Sequence, residues 1–280
     1  MLKIAIPNKG QLSDPAIDML KEAGYLAGFQ GRNLKLVDGK NDVEFYFLRP
    51  KDIATYVSQG ILDIGITGQD MVIDSNIELT QILQLGFARS FFALAGKNPN
   101  QKLAELSGVR IATSYPGLLG SWLAKNGISA EIIKLEGAVE NAVQLGVADF
   151  VADVVATGNT LNQAGLSIIG EPIMESEAVL VSRQNAEITP EIEKFVRRLN
   201  SVIVARDYVL MDYDIPTSLV ETACEITPGF ESPTISALRD PNWSAIRVMV
   251  RAAEVHDVMD QLYGKGAKGI LVTEIAACRL

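Results

Sequence analysis

Short apolar runs alternate along the chain with longer segments whose apolar positions recur at helical spacing. The runs are typical of buried strands, and the spaced segments are typical of amphipathic helices that end at a glycine. This pattern predicts strands at residues 2–6, 43–48, 62–66, 109–112 and 130–135, and helices at residues 13–23, 51–59, 116–125 and 138–145. Such alternation is typical of parallel sheets flanked by helices.

Two segments of the chain resemble each other. Residues 56–63 (Tyr-Val-Ser-Gln-Gly-Ile-Leu-Asp) and 142–149 (Ala-Val-Gln-Leu-Gly-Val-Ala-Asp) each close a helix and open a strand. We interpret them as parts of two α/β lobes that are built on one plan and face each other across a cleft. The alternative is local convergence, because glycine commonly ends helices. A strand at 176–182 is expected to lead back toward the first lobe, and a helix at 189–202 follows it.

Residues 153–161 (Asp-Val-Val-Ala-Thr-Gly-Asn-Thr-Leu) follow an apolar run and precede a predicted helix at 161–165. Small residues allow the backbone to approach a ligand, and backbone N–H groups with the hydroxyls of Thr157 and Thr160 are donors for a phosphate. Asp153 is unsuited to a phosphate but can accept hydrogen bonds from ribose hydroxyls. The segment therefore favours a phosphoribosyl group. The alternative is a turn and helix N-cap that binds no ligand.

Two cations directly follow predicted strands, Lys9 after the first and Arg49 after the second. Ligands of open α/β sheets collect at the carboxyl ends of the strands, so both side chains are expected to enter one cleft. There Arg49 would offer a bidentate fork to a pyrophosphate and Lys9 a point charge. Either cation taken alone is also typical of a solvated loop. Asp70 likewise follows a strand and suits a base or ribose, or the N-cap of a short helix.

The pattern changes after about residue 206. It predicts, in order, a strand, a helix, two strands, a helix and a strand at residues 208–213, 217–226, 234–238, 245–250, 256–263 and 269–275. This βαββαβ order is that of ferredoxin-like domains. Small domains of this shape often sense amino acids for an attached enzyme, which is an argument by analogy.

Composition narrows the class of protein. The net charge of −9 argues against a general binder of nucleic acid or acidic membranes. Cys224 and Cys278 are too few for a disulfide framework, and His256 is the chain's one histidine, which disfavours a zinc site or a histidine-based triad. No apolar run approaches membrane length, and no signal region precedes the first strand, so we expect a cytoplasmic protein.

A series of motifs runs in order along nearly the whole chain. They are Ala-Ile-Pro-Asn-Lys-Gly at 5–10, Phe-Leu-Arg-Pro-Lys-Asp at 47–52, Gly-Ile-Thr-Gly at 65–68, Ala-Thr-Ser-Tyr-Pro at 112–116, Glu-Gly-Ala-Val-Glu at 136–140, the 153–161 segment, and Thr-Pro-Gly-Phe-Glu-Ser-Pro-Thr-Ile-Ser at 227–236. Together they resemble the ATP phosphoribosyltransferases of histidine biosynthesis. The last motif resembles the long form of that family, which carries its own regulatory domain, whereas the short form needs a separate partner protein.

The resemblance implies an α/β fold with a two-lobed catalytic region, like that of periplasmic binding proteins, and a C-terminal ferredoxin-like (βαββαβ) regulatory domain. We expect residues 1–88 with 178–206 to form catalytic lobe I and residues 89–177 to form lobe II, which carries the phosphoribosyl-binding loop. Residues 207–280 would be the regulatory domain. The alternative is a two-lobed small-molecule-binding protein without catalysis.

The resemblance also implies a reaction, in which N1 of the adenine of ATP displaces pyrophosphate from C1 of phosphoribosyl pyrophosphate with Mg²⁺ as cofactor. It assigns catalysis to Lys9 and Arg49 and the nucleotide to Asp70 and Lys51, and it assigns no side chain with confidence to the metal. The residues that it assigns to the phosphoribosyl group are Glu136, Glu140, Asp153, Thr157, Gly158, Asn159 and Thr160.

Histidine is the inhibitor that the resemblance implies, and a dimer or hexamer is the implied assembly, with no nucleic-acid or membrane partner. We place the histidine site at Asp214, Phe230, Ser232, Thr234 and Gly269, where a carboxylate such as that of Asp214 suits the ammonium group of the ligand. One departure stands out, because many members of the family carry an arginine where this chain has Gln11. A cation near the phosphates is therefore missing, so another residue replaces it or the contact is dispensable.

Overall fold

The computed structural model describes residues 1–26, 34–101, 103–156 and 158–279, and Thr157 lies outside the described residues. By its internal contacts the chain divides into two compact units, Met1–Glu193 and Lys194–Leu280. The division falls within a long helix.

The strands that the structure describes are, in chain order, β1 (Leu2–Pro7), β2 (Lys35–Asp38), β3 (Val43–Leu48), β4 (Ile64–Gly68), β5 (Leu79–Gln84), β6 (Ser90–Gly96), β7 (Arg110–Thr113), β8 (Glu131–Lys134), β9 (Phe150–Val155), β10 (Ser167–Ile168), β11 (Met174–Ser176), β12 (Ala178–Arg183), β13 (Tyr208–Pro216), β14 (Thr234–Ala237), β15 (Trp243–Arg251) and β16 (Lys268–Glu274). The described α-helices are α1 (Ser13–Glu22), α2 (Pro50–Ser58), α3 (Gln69–Asp74), α4 (Pro116–Lys125), α5 (Asn141–Gln144), α6 (Asn159–Gln163), α7 (Pro190–Asp207), α8 (Val220–Ile226) and α9 (Val255–Gly264).

The first sheet of the first unit has the strand order β2-β3-β1-β4-β12-β5. Strands β3, β1 and β4 are parallel, whereas β2 and β12 run antiparallel to their neighbours. The central strands β1, β4 and β12 are apolar and buried, and Ile4, Ile64 and Leu180 are completely inaccessible. Strands covered by helices on both faces read as such continuous apolar runs.

The second sheet has the order β10-β6-β9-β7-β8, with β11 also paired to β6. Strand β7 is parallel to β8 and β9, whereas β6 is antiparallel to β9. The expectation of parallel sheets is therefore wrong, because both sheets are mixed. The chain passes from the first sheet to the second after β5 and returns to the first after β11. The first strand after each passage, β6 or β12, is antiparallel to its neighbours in the sheet that it joins.

The two similar sequence segments form the same structure in the two sheets. In each, a glycine with a left-handed φ, 69° at Gly60 and 74° at Gly146, ends a helix. Three residues later an aspartate accepts the N–H of a neighbouring strand, Asp63 from Lys3 at 2.7 Å and its counterpart Asp149 from β7 at 2.9 Å. The prediction that each segment closes a helix and opens a strand is confirmed.

The second unit contains a sheet of order β14-β15-β13-β16 in which every pair is antiparallel. Residues of one face, among them Met211, Tyr213 and Val248, form a core with Leu262 of α9 and Ala223 of α8. With the helices placed between β13 and β14 and between β15 and β16, the predicted βαββαβ order is confirmed.

Several predicted boundaries differ from the structure. Helix α1 has no side-chain cap at its start, because the 3₁₀ turn Gly10–Leu12 leads directly into the helix. The single strand expected at 176–182 is broken at Glu177, whose carbonyl oxygen accepts the N–H of Gln69. Strands β2, β5, β6 and β10 were not predicted, and β9 was noted only as an apolar run.

Candidate active site

A cavity of about 550 Å³ lies in the first unit, where the carboxyl ends of β1, β3, β4 and β7 meet. Residues of both sheets line it. Of the residues proposed from the sequence, the cavity brings together Lys9, Arg49, Lys51, Asp70 and Glu136. We refer to this cavity as the cleft.

Lys9 and Arg49 are exposed and stand on the loops that directly follow β1 and β3. Arg49 is the N-cap residue of α2, where Pro50 begins the helix with a fixed φ. Neither cationic side chain forms a hydrogen bond or ion pair with another residue among those that the structure describes. Both charges are therefore available to an anionic ligand in the cleft.

Glu136 faces the cleft from the loop after β8, and its carboxylate lies 3.2 Å from the ammonium of Lys134. The hydrogen bond with Lys134 is the main reason why the pKa of the Glu136 carboxyl is lowered, and the positive charges of Lys51 and Arg49 lower it further. An exposed carboxylate within electrostatic reach of the cationic wall is thus ionised at neutral pH.

Lys51, on the first turn of α2, connects the two sides of the cleft. Its ammonium donates a hydrogen bond to the carbonyl oxygen of Ser114, lies 4.2 Å from the ring centroid of Tyr115 and is 3.8 Å from a carboxylate oxygen of Asp74. Ser114 and Tyr115 follow β7 in the second sheet, whereas Lys51 belongs to the first lobe.

Asp70 is a buried carboxylate at the base of the cleft, 4% exposed. Ser176 donates its hydroxyl to Asp70 Oδ1 at 2.9 Å and accepts the Asp70 N–H at 3.0 Å. The pKa of the Tyr115 hydroxyl is raised far above its usual value, first by burial and then by the negative charge of Asp70. A larger residue at Gly68 would displace the carboxylate, because a Cβ there would lie 2.2 Å from Asp70 Oδ1. The predicted alternative, Asp70 as a helix N-cap, is wrong, since Gly68 is the N-cap residue of α3.

Asp153 lies on β9 beside the cleft lining. Its Oδ1 accepts the hydroxyl of Ser114 at 3.3 Å and the N–H of Val154 at 2.8 Å. Burial raises the pKa of the Asp153 carboxyl, the two hydrogen bonds oppose that effect, and the negative charge of Glu140 adds to it. Asp153 itself does not line the cleft, but both residues that donate to its carboxylate, Ser114 and Val154, do.

The rest of the segment proposed for the phosphoribosyl group begins at Gly158, since Thr157 lies outside the described residues. Gly158 has a left-handed φ of 74° and is the N-cap residue of α6, with no side-chain cap. Asn159 and Thr160 are exposed on the first turn. These residues do not line the cleft, whereas Ala156 does.

No three His, Cys, Asp or Glu side chains come together as a metal site would require in the parts of the chain that the structure describes. Among the described helices, none combines the length and the apolar character needed to span a bilayer.

Comparison with known proteins identifies the family. The family model described as ATP phosphoribosyltransferase matches residues 49–201, and the model described as HisG, C-terminal domain, matches residues 205–277. The chain belongs to the ATP phosphoribosyltransferase family. Curated ATP phosphoribosyltransferases of Arthrobacter sp. (strain FB24) and Streptomyces avermitilis are 54% and 52% identical to it, and each alignment covers 100% of both chains. The match to the second model makes this chain similar to the long form, as predicted.

Solved structures agree with the fold of an ATP phosphoribosyltransferase. A chain of the ATP phosphoribosyl transferase (HisG:HisZ) complex from Thermotoga maritima is 29% identical, with a TM-score of 0.64, and the match covers 72% of this chain and 98% of that one. A putative L-cystine ABC transporter protein from Listeria monocytogenes matches with a TM-score of 0.51 at 14% identity, over 74% of this chain and 91% of that one. The latter likeness shows the two-lobed fold alone.

The residues proposed for histidine binding all lie in the second unit, but not in one cluster. Asp214 borders a cavity of about 460 Å³ together with Trp243 and Lys268, and a Cβ on Gly269 would lie 3.9 Å from Asp214 Oδ2. Thr234 lies at a different level of the sheet. It pairs with Arg247 on β15, whereas Asp214 pairs with Ala245, two residues earlier on the same strand.

Phe230 packs edge-on against Tyr208 at 5.8 Å between ring centroids, and Ser232 is exposed. The structure thus brings together Asp214 and Gly269 of the proposed set, and it does not bring Phe230 or Thr234 to the same cavity.

Sequence reasoning assigned no role to Ser114, Tyr115 or Ser176, although all three line the cleft. A signal was available for the first two, because Ser114 and Tyr115 follow β7 and precede Pro116, the first residue of α4. No local signal marks Ser176, since its partner Asp70 is 106 positions away.

Proposed function

We propose that this chain transfers the phosphoribosyl group of phosphoribosyl pyrophosphate to N1 of the adenine of ATP, as the first step of histidine biosynthesis. The C1–oxygen bond to pyrophosphate breaks, and a bond from C1 to N1 forms. The observation that carries the proposal is the cleft, in which the cations Lys9 and Arg49 share one cavity with Ser114, whose hydroxyl is bonded to Asp153.

Lys9 and Arg49 are assigned to the leaving group. Positive charge gathers on the ribose ring and negative charge on the pyrophosphate as the bond breaks, so preorganised cations lower the barrier. Arg49 can meet two phosphate oxygens at once, and Lys9 adds a point charge. The adenine N1 is a neutral nucleophile, so the reaction requires alignment of the two substrates rather than a histidine or cysteine side chain.

The opposite side of the cleft is assigned to the phosphoribosyl group. The Asp153 carboxylate, oriented by Ser114 and the Val154 N–H, suits the ribose hydroxyls. Besides Asp153, the residues assigned to the ribose and its 5-phosphate are Glu136, Glu140, Thr157, Gly158, Asn159 and Thr160. Asp70 and Lys51 stay assigned to the nucleotide side.

Mg²⁺ is the proposed cofactor, and the donor groups near the cleft fit it. This ion usually binds through one or two carboxylates together with substrate phosphates. The exposed carboxylate of Glu136 and that of Asp153 are suited to this, with the remaining ligands coming from pyrophosphate and water. The chemistry that Mg²⁺ supplies when bound is neutralisation of the charge that develops on the leaving group.

Pyrophosphate release provides the direct test. We expect the protein to release pyrophosphate only when ATP, phosphoribosyl pyrophosphate and Mg²⁺ are all present, measured with a coupled pyrophosphatase assay. Turnover with ATP alone, or turnover that is undiminished by a chelator, would refute the proposal. Binding of both substrates without any release would instead support the alternative, a two-lobed binding protein without catalysis.

Thr160→Val should weaken the binding of phosphoribosyl pyrophosphate while leaving kcat almost unchanged. The 5-phosphate carries the same charge before and after transfer, so its contacts stabilise ground state and transition state equally. Loss of a hydrogen bond to a charged group is expected to raise KM for this substrate on the order of 10-fold. Steady-state kinetics with each substrate varied in turn would measure this, with Thr160→Ser as the control that keeps the hydroxyl. A fall in kcat at constant KM would place Thr160 at the leaving group instead.

Regulation by histidine is the proposed role of the second unit. Asp214, beside the cavity that Trp243 and Lys268 also line, suits the ammonium group of the amino acid. Inhibition at a distance requires that histidine prefer one of two states of an assembly, and a homo-oligomer, a dimer or hexamer, is proposed to provide them. The cytoplasmic location stays a prediction.

A further inference from the structure

The C-terminal end of α3, in the first lobe, lies against the N-terminal end of α4, in the second. Asp74, the last residue of α3, accepts the N–H groups of Gly117 and Leu118 through Oδ1, at 2.9 and 3.2 Å. These are first-turn N–H groups that have no acceptor within their own helix. The usual local acceptor is absent, because the N-cap residue Tyr115 makes no side-chain cap. Asp74 therefore caps α4 from the other side of the cleft.

The two helix ends are in close contact. A Cβ on Gly117 would lie 2.1 Å from the carbonyl oxygen of Asp74, so a larger residue would force the helices apart. The Asp74 side chain is only 13% exposed, and its second oxygen lies 3.8 Å from the ammonium of Lys51. A carboxylate at a helix N-terminus is stabilised by the helix dipole as well as by its hydrogen bonds.

The capped end of α4 directly follows two residues of the cleft wall. Ser114 donates its hydroxyl to Asp153, and Tyr115 lines the cleft together with Asp70. A shift of the first turn of α4 would therefore move Ser114 and Tyr115 relative to the cations of the first lobe. The hydrogen bonds of Asp74 go to α4, and the one cleft cation that it contacts is Lys51, not Lys9 or Arg49.

We propose that Asp74 is a positioning residue, which caps α4 across the cleft and thereby holds Ser114 and Tyr115 at the distance from Lys9 and Arg49 that the reaction requires. The proposal rests on the proposed function, since it concerns the alignment of the two substrates. A misplacement of about 1 Å can cost as much as 100-fold in rate, so a contact remote from the reacting atoms can have a large effect.

Asp74→Ala is expected to raise KM for phosphoribosyl pyrophosphate about 10-fold and to lower kcat/KM for this substrate about 10- to 100-fold. Gly117→Ala should have a similar effect, because it separates the same two helix ends while keeping the carboxylate. Asp74→Asn, which keeps one acceptor oxygen, should recover a large part of the loss. Kinetics would be measured well below Tm, because a lower folded fraction reduces apparent kcat but leaves KM unchanged.

Asp149→Ala is the matched control. Asp149 also accepts a backbone N–H, from Arg110, but within one lobe and away from the cleft lining. Its loss should lower Tm and leave both KM values unchanged. If Asp74→Ala and Gly117→Ala lower Tm and leave KM like this control, while the wild type releases pyrophosphate, the contact is structural only and the inference fails although the proposed function stands.

A measurement without catalysis completes the test. Hydrogen exchange followed by mass spectrometry should show that the amides of Gly117 and Leu118 exchange faster in Asp74→Ala than in the wild type, and that the segment containing Ser114 and Tyr115 exchanges faster as well. Unchanged exchange at residues 114–118 would overturn the inference, whether or not the protein is active.

Discussion

Arg49→Ala is expected to lower kcat about 10²- to 10³-fold, which is the usual cost of removing one preorganised donor from a transition state. The side chain stands free at the end of β3 in the cleft, where the departing pyrophosphate gains charge as the bond to C1 breaks. KM for ATP should change much less, because the interaction strengthens as the reaction proceeds. Steady-state kinetics with each substrate varied would measure both effects.

Arg49→Lys is the control that separates the effect of the positive charge from that of the planar guanidinium group. It keeps the positive charge but loses the planar fork, so we expect kcat between those of the wild type and Arg49→Ala. A large rise in KM with unchanged kcat would show that Arg49 binds the ground state, and the two sides of the cleft would then be assigned the wrong way round. This chain has Gln11 where the family resemblance predicts an arginine, so the dependence on Arg49 should be strong.

Asp214→Ala is expected to raise the histidine concentration needed for half-inhibition on the order of 10- to 100-fold, and to leave turnover without histidine unchanged. The reason is the loss of a charge-assisted hydrogen bond from the ammonium group of the ligand. Asp214 borders the cavity that Trp243 and Lys268 also line, in a unit separate from the cleft. Initial rates over a histidine titration would provide the measurement.

Asp212→Ala is the matched control for that variant. Asp212 stands two residues earlier on β13 and is bonded to Arg247 at 2.7 Å, and it does not border the cavity. It should remain as sensitive to histidine as the wild type. If Asp214→Ala is inhibited as strongly as the wild type, the site lies elsewhere on the protein, and if the wild type is not inhibited at all, the regulatory role of the second unit is refuted.

Elements with clear start and stop signals were predictable from the sequence. Helix α4 was expected at residues 116–125 and spans Pro116–Lys125, because a proline fixes its first residue and Gly127 follows its end. Strand β5 was missed, because it lies at the edge of its sheet and shows no strict alternation of buried and exposed positions. The antiparallel entry of β12 was also missed, since the direction of a strand depends on pairing with residues far along the chain.

The candidate site also has one part that was predictable from the sequence and one part that was not. Lys9 and Arg49 were placed in one cleft because each follows a strand, and the sequence suffices for that inference. The interactions of Asp70 with Ser176 and of Asp153 with Ser114 join residues 106 and 39 positions apart, and no local pattern encodes them. The roles assigned to these residues and the lobe boundaries at residues 88, 178 and 207 stay predictions.

The order of the strands has a consequence for biosynthesis on the ribosome. Every strand of the second sheet lies between Ser90 and Ser176, so this sheet can be complete before β12 has been synthesised. The first sheet cannot, because β12 is the strand that joins β4 to β5. The lobe that is translated first is therefore finished last. Until Ala178–Arg183 emerges, the unpaired edges of β4 and β5 are the part of the nascent chain most exposed to aggregation.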